Sequence, residues 1–269
     1  MRIAFLGGGN MANALVGGLI ARGFERAAIG VIEPSPAARE RIAAHGVRVA
    51  TAPDAALAEA DALVLAVKPQ DMRAALASLA GRVGDRLVVS IAAGVRTEAL
   101  SRWLGGHRRL VRCMPNTPAL VGAGITGLYA PAQVGEADRR SAETILRAVG
   151  EVVWLRDERL LDVVTAVSAS GPAYVFWLIE QLAAFAESSG IAREDALRLA
   201  RHCVFGSGRL ALESDIPPAE LRRGVTSKGG TTEAALEVFA EEKLAERFAR
   251  ALEAATRRGG ELGERLGKD

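Results

Sequence analysis

Over the first 156 positions, short apolar runs alternate with amphipathic stretches. The runs predict strands over 2–6, 28–32, 62–67, 87–91, 110–113, 125–129 and 152–155, and the stretches predict helices over 11–21, 36–45, 72–79, 97–104 and 137–149. Brief, almost continuously apolar strands separated by helices are the pattern of βαβ units around a parallel sheet with both faces covered. From residue 157 the rhythm changes, and 171–189, 193–213, 219–223, 232–239 and 240–266 all read as helix. Leu178, Leu182 and Phe185 recur at helical spacing on one of these segments, and Leu197, Ala200 and Val204 on the next. The expected plan is an α/β domain at 1–156 with a mostly parallel, doubly wound sheet, followed by an all-α domain at 157–269. Ser170 is expected to cap the helix it precedes, with Pro172 at an early position where a missing N–H costs little.

Composition narrows the range of partners. Aromatic residues make up 4% of the chain, too few for a stacking platform, and the net charge of +2 arises from mixed signs without a long basic stripe, so no nucleic-acid partner is expected. Cys113 and Cys203 lie far apart with no Cys-x-x-Cys or His/Cys cluster, so no metal site is expected and both thiols are taken as free and buried in a reducing compartment. The chain opens on a strand without a charged segment and apolar stretch of signal-peptide type, and charges interrupt the apolar windows before a membrane span is reached. A cytoplasmic location with no membrane partner is the expectation.

The first turn carries the strongest chemistry. Gly7, Gly9 and Ala12 fit G-x-G-x-x-A between a strand and a helix, the Rossmann-type arrangement for a dinucleotide. Gly7 permits the tight turn, Gly9 lets backbone approach a pyrophosphate, and Ala12 lets the helix pack closely on the strand. The anion would sit on free N–H groups at the helix start. Glu33 ends the next strand about twenty positions beyond Ala12, where an acid binds the adenosine ribose. A carboxylate there favours NAD(H), whereas Ser35 and Arg39 in the following turn are able to hold the 2′-phosphate of NADP(H).

Ligands in open α/β sheets bind beyond the carboxyl ends of the strands. Three loops in that position are Ala66-Val67-Lys68-Pro69-Gln70, Ala92-Ala93-Gly94, and Met114-Pro115-Asn116-Thr117-Pro118, whose Asn116 amide could reach a ribose or carboxamide. In the helical half, Val225-Thr226-Ser227-Lys228-Gly229-Gly230-Thr231-Thr232-Glu233 puts hydroxyls and glycines ahead of a helix, a nest of donors suited to a small carboxylate or, equally, a cap and turn.

Together, G-G-G-N-M-A at 7–12, A-V-K-P-Q at 66–70, R-C-M-P-N-T-P at 112–118, S-A-S-G-P-A-Y at 168–174 and V-T-S-K-G-G-T-T at 225–232 resemble the pyrroline-5-carboxylate reductase family, in its order and over nearly the whole chain. Lys228 stands where that family frequently has Pro. The resemblance implies reduction of the cyclic imine 1-pyrroline-5-carboxylate to L-proline, the last step of proline biosynthesis, by hydride from NAD(P)H, with NADP(H) ahead of NAD(H). It assigns Ser227, Gly229, Gly230, Thr231 and Thr232 to the substrate, with Ser227 and Thr232 the catalytic hydroxyls. It assigns Gly7, Gly8, Gly9, Asn10, Met11, Glu33, Ser35, Ala66, Val67, Lys68, Pro69, Ala92, Ala93 and Asn116 to the cofactor. It also implies a homodimer through the helical domain, assembled further into rings up to a decamer of dimers, with the active site between one subunit's cofactor domain and its partner's helices.

Three alternatives share parts of this pattern. A β-hydroxyacid dehydrogenase needs a base, commonly a Lys on the first helix of its second domain, and residues 171–189 contain no Lys or His. A related imine reductase shares the two-domain plan, and a non-catalytic NAD(P)-binding protein would need the first turn but not the hydroxyl nest.

Overall fold

A computed structural model of the chain describes residues 1–53, 58–79 and 81–268. Strand β1 (Ile3–Leu6) is apolar and buried at all its positions, as a strand inside a covered sheet must be. It leads through α1 (Asn10–Ala21), β2 (Ile29–Ile32), α2 (Pro36–Ala43), β3 (Arg48–Ala50), β4 (Ala62–Leu65), α3 (Met72–Ala77), β5 (Leu87–Ser90), α4 (Thr97–Trp103), β6 (Leu110–Met114), β7 (Gly124–Tyr129) and α5 (Glu136–Leu146) to β8 (Gly150–Trp154). These strands form one sheet in the order β3-β2-β1-β4-β5-β6-β7-β8. Neighbours run parallel except β6 and β7, so the last two strands point opposite to the rest.

Alternation along the strands builds two apolar layers. Ile3, Phe5, Val64 and Val89 face one cluster with Leu15 and Leu19 of α1, while Ala4, Leu6, Leu63 and Val88 face another with Met72 and Leu100. The chain passes from one side of the sheet to the other between β1 and β4, which makes the carboxyl ends of these strands the ligand crevice. Strand β3 is absent from the sequence expectation because its three residues, exposed to half-buried at the sheet edge, carry no apolar run.

The second half contains α6 (Leu160–Val164), a π-helical turn (Thr165–Ala169), α7 (Gly171–Ser188), α8 (Arg193–Glu213), α9 (Pro218–Gly224), α10 (Thr231–Glu241) and α11 (Leu244–Leu266). Two compact units result, one of residues 1–169 with 255–269 and one of 170–254. The division thus falls later than residue 156, because α6 and the π turn pack with the first unit, to which the last turns of α11 also belong. Ser170 makes no side-chain cap, since the residues before it are already helical and leave no free helix start. A widened turn there also accommodates Pro172, which has no N–H to donate. The break ahead of α11 falls at Glu242–Lys243, where Lys243 adopts a positive φ of 51°, rather than at 239–240.

In the helical unit, α7 and α8 pack along one another, and Tyr174 meets Phe248 edge to face at 6.1 Å between ring centres. Apolar side chains nevertheless remain exposed: Phe176 and Trp177 at 59%, Phe185 at 75%. The helical run Leu160–Ser188 is long and apolar enough to cross a membrane by length and composition, which the sequence reading did not anticipate; only 11% of its most apolar window is buried. Cys203 is exposed on α8, contrary to expectation, because the chain itself does not cover that part of the helix; Cys113 is buried in β6, and burial pushes its thiol pKa far up.

Candidate active site

The first ligand surface is built where β1 becomes α1. Gly7 adopts φ +100°, and a Cβ there would lie 2.7 Å from the Ala66 carbonyl oxygen, so only glycine lets the exits of β1 and β4 come together. Gly7 N–H donates to the Ile32 carbonyl at 2.8 Å, and Ala66 N–H to Leu6 at 2.8 Å, stitching the three strand ends into one floor. Around Gly9 the space is open, with nothing within 4 Å of a Cβ position. Among the described residues no acceptor takes the Asn10, Met11 or Ala12 N–H, the orphan donors of a helix start. A bare backbone and three free donors fit a pyrophosphate.

Glu33 is already engaged within this loop. Its carboxylate accepts from Gly8 N–H at 2.6 Å and from Ser35 N–H at 2.7 Å, so it ties the β2 exit to the glycine turn. Arg39 donates to the Glu33 carbonyl at 3.2 Å, and Arg41 donates to Asn10 Oδ1 at the start of α1 at 3.2 Å. Neither Arg39 nor Arg41 pairs with a carboxylate among the described residues. The acid expected for the ribose is thus held by backbone N–H groups, with one guanidinium on its own carbonyl.

The loops after β4, β5 and β6 complete the floor. Lys68, exposed and without an ion-pair partner among the described residues, precedes the short 3₁₀ turn Pro69–Asp71. Ala92 is buried, and its N–H donates to Ser90 Oγ at 3.4 Å. Asn116 is buried as well, with its Oδ1 accepting from Ile125 N–H at 3.0 Å, which leaves its amide nitrogen for a ligand. A cavity of about 220 Å³ opens beside Pro69, Gln70, Ala93, Gly94, Asp162 and Thr165.

Sequence reasoning missed the ionic cluster behind these loops. The Arg112 side chain is 2% exposed and donates to Glu158 Oε1 at 3.2 Å, while its other nitrogen lies 3.8 Å from Asp162. Glu158 also accepts from the Thr97 N–H at 2.7 Å and hydroxyl at 2.9 Å, across 61 positions, and Arg96 donates to Asp162 at 3.4 Å. Arg112 stands inside a quoted motif, yet nothing local marks it, because its partners come from remote segments. No group of three or more His, Cys, Asp or Glu side chains that could hold a metal ion occurs among the described residues.

The second ligand surface lies in the helical unit at the start of α10. Gly229 adopts φ +70°, and a Cβ on Gly230 would lie 2.5 Å from Ser227 Oγ, so two glycines fold the turn back on Ser227. Gly230 N–H donates to the Ser227 carbonyl at 3.0 Å, and Glu233 accepts from Gly229 N–H at 2.6 Å. Thr226 is turned away, its hydroxyl donating to the Arg222 carbonyl at 2.7 Å. The Thr231 and Thr232 N–H groups have no acceptor among the described residues, and Ser227 Oγ lies against the same turn at Gly230. The sequence-assigned residues of each surface thus come together locally, with Gly8 and Gly229 donating to Glu33 and Glu233.

Known proteins match both parts of the chain. Residues 158–262 match the family described as pyrroline-5-carboxylate reductase dimerisation, and residues 2–94 match NADP oxidoreductase coenzyme F420-dependent. A pyrroline-5-carboxylate reductase of Pseudomonas aeruginosa is 47% identical over 269 residues, covering 99% of this chain and 98% of its own. A Coxiella burnetii pyrroline-5-carboxylate reductase structure superposes with a TM-score of 0.92 at 41% identity, over 97% of this chain and 98% of the other. A Plasmodium falciparum pyrroline carboxylate reductase with NADP bound gives 0.85 at 26% identity, over 98% of both chains. Full-length identity at this level, joined to the two local surfaces, establishes that the chain belongs to the pyrroline-5-carboxylate reductase family.

Proposed function

We propose the following division of labour for the reaction of this family, the NAD(P)H-dependent reduction of 1-pyrroline-5-carboxylate to L-proline. Gly7, Gly8, Gly9, Asn10 and Met11 receive the pyrophosphate on the α1 N-terminus, Glu33 and Ser35 border the adenosine ribose, and Ala66, Val67, Lys68, Pro69, Ala92, Ala93 and Asn116 border the nicotinamide end. Ser227, Gly229, Gly230, Thr231 and Thr232 receive the imine. The observation that carries this assignment is the pair of unfilled N–H donors at Thr231 and Thr232, at a helix N-terminus with Ser227 Oγ against the same turn, a receptor for one small carboxylate.

When bound, NAD(P)H supplies the hydride. The protein's part is placement: the substrate carboxylate lies on the Thr231 and Thr232 N–H groups, and the Thr232 hydroxyl hydrogen-bonds the ring nitrogen. Hydride adds to the C=N carbon, the π pair withdraws to nitrogen, and the proton on nitrogen comes from solvent or from the already protonated imine. An iminium is electrophilic by itself, so orientation and hydrogen bonds suffice without a strong acid.

NADP(H) is preferred to NAD(H) in this reading, because Glu33 is occupied by two N–H groups while Arg39 brings positive charge to the β2 exit and Arg41 to the start of α1. The chain works as a homodimer, assembled further into a decamer of dimers, in the cytoplasm and without nucleic-acid or membrane partners. The test is absorbance at the reduced nicotinamide band: NAD(P)H is consumed only when 1-pyrroline-5-carboxylate is added, with kcat/KM higher for NADPH. No loss at saturating imine with either cofactor overturns the reading. Thr232→Ala is expected to lower kcat at least ~10-fold, as for a lost transition-state hydrogen bond, and unchanged kcat and KM remove Thr232 from the site.

A further inference from the structure

We propose that Glu158 is a positioning residue for the reduced cofactor, acting through Thr97 and Arg112 on the loops that follow β5 and β6. The inference rests on the assignment of those loops to NAD(P)H. Loop 92–96 ends at Arg96 and Thr97, and both are held from the segment just ahead of and within α6. Thr97 opens α4, and Glu158 takes both its N–H at 2.7 Å and its hydroxyl at 2.9 Å, doing from 61 positions away what an N-cap side chain does locally. Arg96 is held by Asp162 at 3.4 Å.

Arg112 joins these two anchors. Its guanidinium donates to the same Glu158 oxygen that accepts the Thr97 N–H, and its other nitrogen faces Asp162. Arg112 also precedes the loop 114–118 that carries Asn116. Two carboxylates and two guanidinium groups thus balance in a largely buried cluster, where losing one partner leaves a charge uncompensated. The foot of one ligand loop and the end of another share a single side chain. Neither loop can shift without disturbing Glu158, so the cluster sets the fraction of molecules whose loops are ready for cofactor, and apparent affinity scales with that fraction.

The full-length enzyme in its native assembly provides the test. Glu158→Gln keeps the size and an acceptor for Thr97 but removes the charge facing Arg112, and Thr97→Val keeps the N–H bond while deleting the hydroxyl. Each is expected to raise KM for NAD(P)H, and its Kd from nicotinamide fluorescence, roughly fivefold, with the imine KM within about twofold of the parent; Thr97→Val, which removes no charge, also keeps a parent-like melting temperature. Parent-like cofactor affinity in both variants overturns the proposal. So does a joint rise of both KM values with a lowered melting temperature, the signature of a brace for the fold alone. Ala93→Val, which adds bulk to the loop itself, separates the two readings. Unchanged NAD(P)H affinity in that variant overturns the loop assignment and the proposal with it, whereas weakened affinity there beside parent-like Glu158→Gln overturns the positioning role alone.

Discussion

The two halves of the chain treat apolar residues in opposite ways. In the sheet unit, the apolar residues of β1, β4 and β5 divide between two layers, and each layer is closed by helices of the same unit. In the helical unit, α7 carries Phe176, Trp177, Leu178 and Phe185 on 18 residues and buries none of them. A tail of residues 170–254 in isolation would expose far more apolar surface than a monomer tolerates. The match to a dimerisation family over 158–262 supports self-association of the chain. The same fact accounts for a helix apolar enough to pass for a membrane span, and for an apolar cleft of about 820 Å³ between Tyr174, Trp177, Phe239 and Phe248. One half closes its own core, whereas the other leaves apolar surface open within the single chain.

That contrast can be broken from either side. Leu63→Ala, at a position with no exposure, is expected to cost about 2–5 kcal/mol in denaturant unfolding, and the loss should not depend on protein concentration. Trp177→Asp should leave the sheet unit folded but weaken the dimer by roughly 30-fold or more, read by sedimentation equilibrium. A concentration-independent loss from Trp177→Asp would mean the helical unit has a core of its own. The smallest effect is local to the segment just ahead of α6. Asp157 is held down to about 2 by hydrogen bonds from the Arg159 side chain and backbone N–H. A depressed carboxylate contributes above its ordinary value of 3.8 and loses that contribution as pH falls toward 2. Arg159→Ala should return the Asp157 titration, followed by carboxyl NMR shifts, toward the ordinary value, with at most a small loss of stability at pH 7 because the pair is exposed.

Much of the sheet unit was legible because both signals it depends on are local. Apolar runs of four or five residues place β1, β2, β4, β5 and β6, and the G-x-G-x-x-A spacing places the donors at Asn10 and Met11. Strand β3 was not legible, since pairing with β2 rather than any pattern of its own makes it a strand. The helical unit was legible as helices but not as a surface, because periodicity says that a face is apolar and not what covers it. Asn116 illustrates the same limit at the candidate site: its residue type and loop were readable, whereas the commitment of its Oδ1 to Ile125 was not.

The sequence by itself determined the order of elements, the glycine turn and the hydroxyl-rich turn at 226–232, because each depends on residues within a few positions of one another. Only the tertiary structure decided that Gly7 is required by the Ala66 carbonyl, that Glu33 is spent on Gly8 and Ser35, and that Arg112 binds Glu158 and Asp162 behind the loops that follow β5 and β6. Apart from the local Glu33–Ser35 bond, those contacts join segments remote in sequence, and a charge is driven to such a partner by burial, which exists only once the chain has folded.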